Sequence, residues 1–82
     1  MASYTVPAAT TAWQTAPAPS ANAWLQPIGG AIYVSTDASP SINTAGIVTD
    51  LIGYPVTSGV AIKYRAVGEP GPSGIAVRLW DK

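Results

Sequence analysis

The 82 residues include no cysteine and no histidine, and phenylalanine is missing as well. Without thiols there is no disulfide to staple a small fold, and without thiol or imidazole there is no ordinary zinc site. Charge is scarce too: charged residues make up 10% of the chain, against roughly 25% in a typical soluble domain. Residues 1–36 carry no Asp, Glu, Lys or Arg, and every charged side chain falls between Asp37 and Lys82. General acid–base and nucleophilic catalysis draw on titratable groups. The first part of the chain therefore offers no catalytic centre.

The rest offers little more. The acids are Asp37, Asp50, Glu69 and Asp81. Glycoside hydrolysis needs two carboxylates facing one bond, one of them in surroundings that raise its pKa. Three of these four fall in expected loops or at the end of the chain, where solvation is the default. Asp50 sits in an apolar run, where facing outward or pairing with Lys63 or Arg65 explains it. No nucleophile, base or metal constellation can be assembled, so the expectation is a protein that is not an enzyme and uses no cofactor. The formal net charge is zero, which gives no electrostatic case for nucleic acid or an anionic membrane. Pro7, Pro17, Pro19 and Pro27 break the uncharged stretch, which does not read as a membrane span. Ala21-Asn22-Ala23 imitates a signal-peptidase site without a basic or apolar region before it, and reads as linker.

What is present is β-forming sequence behind an extended arm. Residues 1–22 read as the arm: Tyr4-Thr5-Val6 and Thr10–Thr15 are possible short strands, and Pro17-Ala18-Pro19-Ser20 is held extended. Residues 23–82 read as one small all-β domain. Gly30–Thr36 is a strand opened by the Gly29-Gly30 turn, Asp37–Ser41 a loop, and Gly46–Gly53 a second run. Tyr54–Gly59 leads into Val60–Val67, where Val60, Ile62, Tyr64 and Ala66 share one face and Lys63 and Arg65 the other. In Ile75–Trp80, Ile75, Val77 and Leu79 oppose Arg78 and Trp80 in the same way. These two strands are expected to pair as a hairpin across Gly68–Gly74. That turn spells two collagen-like triplets, too few for a triple helix, and lacks the ending of a phosphate loop. The expected architecture is a small antiparallel sandwich or partly open barrel of four to five strands, with no helix.

A small, unstapled, poorly charged chain points to subunit contacts as a source of stability. Trp24, Tyr64 and Tyr33 are expected to fill the core, while Trp13 and Trp80 lie at contacts, Trp13 anchoring the arm. Lys63, Arg65 and Arg78 are expected on one sheet face, either solvated or against an acidic partner or neighbouring subunit. With Tyr4 and Val6 of the arm, Trp13, Trp80, Lys63, Arg65 and Arg78 make up the candidate interface.

Trp24-Leu25-Gln26, Gly29-Gly30-Ala31-Ile32-Tyr33-Val34-Ser35 and Gly59-Val60-Ala61-Ile62-Lys63-Tyr64-Arg65-Ala66-Val67 resemble small β-sandwich virion proteins of tailed bacteriophages. The resemblance spans about residues 24–80 and is one of pattern. It implies a capsid decoration or cement protein, assembled into the virion in the host cytoplasm. Its implied partners are copies of itself, with a trimer favoured, and the major capsid or other virion proteins, reached by the arm through strand addition. A tail, baseplate or fibre subunit would share the fold. A carbohydrate-binding module would instead display an exposed aromatic platform.

Overall fold

A computed structural model describes residues 3–43, 45–49 and 53–82. These residues contain no helix. They form eight short strands: β1 Ser3–Tyr4, β2 Gln14–Thr15, β3 Ala23–Ile28, β4 Ala31–Ser35, β5 Gly46–Thr49, β6 Tyr54–Val56, β7 Lys63–Ala66 and β8 Ala76–Asp81. Two antiparallel four-stranded sheets result, ordered β1-β8-β3-β6 (sheet I) and β2-β7-β4-β5 (sheet II), and they do not close into a barrel. This is the expected all-β sandwich. It has more strands than expected, because the arm contributes one to each sheet and the short segment Tyr54–Val56 pairs with β3 instead of merely leading into the next strand.

The alternation of side chains builds the core. Leu25 of β3 and Leu79 of β8 point in from sheet I, and Ile32 of β4 and Tyr64 of β7 point in from sheet II, all essentially fully buried. Burying an aliphatic side chain of this size contributes about 1.5–3 kcal/mol. Val34, Val48, Val56, Ile62 and Val77 extend the cluster. The apolar face read for Val60–Val67 is therefore the inner face, although the regular strand is confined to Lys63–Ala66. The run at Gly46 begins as a strand through Thr49; its continuation over residues 50–52, with Asp50, lies outside the described residues.

The expected hairpin between the last two strands does not form. β7 belongs to sheet II and β8 to sheet I, and the arm lies along the side where each would have met the other. Ala9 N donates to Ile75 O (2.7 Å) and Ile75 N to Ala9 O (2.9 Å), while Ala66 N donates to Thr10 O (2.7 Å). Between Tyr4 and Gln14 the arm thus crosses from one sheet to the other and takes up the hydrogen-bonding edges of both. Gly74 makes the crossing possible. Its φ is +71°, and a Cβ there would lie 2.6 Å from Ala9 O.

Further contacts fix the arm to its own chain. Ala9, Ala16 and Pro19 are buried in the core. Ala16 N donates to Ile62 O (2.8 Å), Gly59 N to Pro19 O (2.8 Å) and Lys82 N to Asn22 O (2.9 Å). The Tyr64 hydroxyl donates to Pro7 O of the arm at 2.5 Å. Burial pushes its pKa up from 10.0 to about 12.

Candidate functional site

The inner faces are filled, so the surfaces left for function are the two outer faces, the edges and the loops. On sheet I, β3 turns Ala23, Leu25 and Pro27 inward and Trp24, Gln26 and Ile28 outward. β8 turns Val77 and Leu79 inward and Ala76, Arg78 and Trp80 outward. The register then sets Ser3, Trp80, Trp24 and Pro55 in one row across all four strands, with Trp80 directly opposite Trp24. Arg78 lies opposite Gln26 in the next row.

Each indole of this row carries a cation. The Arg78 guanidinium is 5.2 Å from the centre of the Trp80 ring, and Lys82 Nζ is 4.4 Å from that of Trp24. Both separations are within cation–π range. Gly53 sits beside Trp24; a Cβ there would come within 3.1 Å of the indole. Along the same face, Gln26, Pro27, Ile28, Gly29 and Arg78 line a shallow hollow of about 270 Å³.

Sheet II repeats the theme. Arg65 of β7 lies opposite Tyr33 of β4, and Tyr33 opposite Ile47 of β5, all outward. The Trp13 ring centre is 6.0 Å from the Arg65 guanidinium, and Arg65 Nε is buried without a hydrogen-bond partner. Lys63 Nζ donates to Thr15 Oγ1 (3.2 Å). Ile47, 61% exposed, ends the row.

The candidate interface residues are thereby separated into three places. Lys63 and Arg65 lie on the outer face of sheet II and Arg78 on that of sheet I, so the expected single basic face is corrected to two opposite ones; the cause is the division of β7 and β8 between sheets. Trp13 joins the sheet II face and Trp80 the sheet I face. Tyr4 and Val6 pack against the core, and the Tyr4 hydroxyl donates to Asp81 Oδ1 (2.7 Å) and accepts from Ser20 N (3.1 Å). Trp24 and Tyr33, expected in the core, are half-buried on the outer faces, leaving Tyr64 as the fully buried ring.

Sequence reasoning overlooked Trp24 and Lys82 as surface partners. The alternation of Leu25 and Pro27 against Trp24 and Gln26 carries the signal for Trp24; nothing in the sequence pattern brings Lys82 to it. Electrostatically, all four basic side chains lie on the outer faces, and none is ion-paired among the described residues. Of the acids, Asp37 and Glu69 are in loops and Asp81 holds Tyr4. Such faces suit contact with carboxylates or other anionic groups beside apolar surface. Among the described residues no group of three His, Cys, Asp or Glu is placed to hold a metal.

Comparison with protein families, with curated proteins and with solved structures found no match.

Proposed function

We propose that this chain is a non-enzymatic structural protein of a virion, a capsid decoration or cement protein, and that it binds through the outer faces of its sheets. One observation supports the mode of contact: every basic side chain lies on those faces, three of the four against tryptophan, with no described acid among them. An indole that holds a cation in place lowers the ordering cost of binding, and its ring supplies a large apolar area at low conformational entropy. Trp and Arg are the residues most enriched where binding energy concentrates. The complementary partner is an acidic patch on a protein lattice. The virion setting rests on the resemblance of Trp24–Gln26, Gly29–Ser35 and Gly59–Val67 to small phage sandwich proteins, and on a charge content of 10%.

The role of the arm changes in this reading. Strand addition to a neighbour requires free strands, whereas β1 and β2 pair within their own chain. Contact by the sheet faces leaves the arm as part of the scaffold. The test is mass spectrometry of purified tailed-phage particles made with the wild-type chain or with the double variant Trp80→Ala, Arg78→Gln. The expected result is near-stoichiometric recovery of wild type with the head protein and loss of the variant. Absence of the wild-type chain from the particles would reject the proposal, and full retention of the variant would reject the sheet I face.

A sugar-binding module is the second reading, favoured by the directly opposed Trp24–Trp80 pair on an outward face. Titration of tryptophan fluorescence with neutral oligosaccharides tests it. Saturable quenching that Trp80→Ala removes would support this reading over the first.

A further inference from the structure

We propose that β5 is the edge through which two copies of this chain join, strand to strand across a two-fold axis, so that sheet II continues from one copy into the next. Each sheet has two edges, and three of the four are blunted. β1 and β2 are two residues long. β6 has three residues and places a proline on its free side. Lys82 N donates to Asn22 O, which points the backbone of Asn22, Trp24 and Gln26 at β8 and that of Ala23 and Leu25 at β6. Pro55, opposite Trp24, therefore faces away from the sheet and offers no N–H there.

β5 has none of these safeguards. Val67 N donates to Ala31 O, so Ala31 and Tyr33 point their backbone groups at β7, and Ile32 and Val34 point theirs at β5. Across the ladder, Val48 and Gly46 engage β4, which leaves the N–H and C=O of Ile47 and Thr49 directed away from the sheet. The strand Gly46–Thr49 holds no proline and no charge, and Ile47 is 61% exposed. An uncharged, apolar edge with backbone groups directed away from the sheet is a template for another strand.

A second copy fits this edge because the free groups complement themselves. With Val48 on the two-fold axis, Ile47 of one copy exchanges hydrogen bonds with Thr49 of the other, and the reverse, as an isologous contact requires. Centring the pair on Ile47 instead would set Thr49 opposite Ala45, whose N–H already donates to Ser41 O (3.0 Å). The register on Val48 also brings the inward Val48 side chains side by side, continuing the apolar layer. Scarcity of charge, 10% of residues, leaves nothing on this strand to repel a copy of itself.

The experiment is light scattering from micromolar to millimolar chain, with amide hydrogen exchange followed by NMR. The expected mass rises with concentration from 8.4 kDa to twice that value. The Ile47 and Thr49 amides should gain protection as it does. Thr49→Pro deletes a donor on the free side without removing a hydrogen bond to β4, and Ile47→Lys adds a charge to an exposed position. Both variants should keep the monomer mass and the native spectrum. If Thr49→Pro fails to fold, Ile47→Lys carries the test. A mass that stays at 8.4 kDa throughout overturns the proposal, as does an oligomer that persists in Ile47→Lys. Protection that appears only on adding a strand from another protein overturns the self-pairing as well.

Discussion

Replacing Tyr64 by Phe removes the hydroxyl that ties a core ring to the arm while keeping the ring itself. That hydroxyl donates to Pro7 O at 2.5 Å, and Tyr64 is fully buried. The lost bond frees the carbonyl of Pro7, an exposed residue of the arm, so the cost is that of one partly buried hydrogen bond, about 0.5–1.5 kcal/mol. For a chain of 82 residues, each kcal/mol moves Tm by about 4–8 °C, so Tyr64→Phe should melt roughly that much lower, for a mid-range loss of about 1 kcal/mol. The pH dependence gives a second readout. The hydroxyl's pKa rises from 10.0 to about 12 on folding because burial disfavours the phenolate. Below pH 10 both states hold the proton and the contribution is complete. Above it the unfolded chain releases the proton first, so stability falls as pH climbs toward 12. The hydroxyl is partly buried, so the shift counts for less than its full two pKa units, on the order of 1–2 kcal/mol. Denaturant unfolding at pH 8 and pH 11.5 should therefore show wild type losing much of its advantage over Tyr64→Phe at the higher pH. Equal stabilities at pH 8, or a gap that does not narrow with pH, would mean that this hydroxyl neither ties the arm nor is shifted by burial.

Gly74→Ala should destabilise by on the order of 1–3 kcal/mol, since the φ of +71° strains any side chain and the new Cβ would sit 2.6 Å from Ala9 O; thermal melting measures it. Deleting residues 2–20 should abolish sharp unfolding, because Ala9, Ala16 and Pro19 leave the core and the backbone of Ile62, Ala66 and Ile75 loses its partners. A cooperative denaturant transition in the truncated chain would contradict that. Lys82→Gln should change stability by no more than about 1 kcal/mol, the scale of an exposed cation–π contact, while weakening any binding by the sheet I face.

The periodicity of two was enough to read the layers. Ile62, Tyr64 and Ala66, and likewise Val77 and Leu79, face inward as their alternation requires. Pairing was less legible, because alternation says which way a side chain points and nothing of which strand lies beside it. Val60–Val67 and Ile75–Trp80 share one pattern and a turn, the usual signs of a hairpin. The arm nevertheless separates them, and it does so with Ala9 and Thr10, residues too small and plain to announce a central role. Large rings misled in the opposite direction. Trp24 looked like core by size, yet its parity in β3 places it outside with Gln26. Of the candidate interface, the outward direction of Lys63, Arg65, Arg78 and Trp80 followed from alternation, but their division between two opposite faces followed from topology alone. The contact of Lys82 with Trp24 depends on where the chain end settles, which no local pattern encodes.

The outer faces and the β5 edge are left as surfaces for contact because the arm is part of its own sandwich. An isotope-filtered NMR experiment on an equal mixture of labelled and unlabelled chains tests this directly, through the contacts of the Tyr64 ring with Pro7 and of Tyr4 with Ser20. These contacts should arise within single chains and persist on dilution to monomer. Contacts seen only between labelled and unlabelled chains would mean that the arm is exchanged with a neighbour, and would return it to the role of tether.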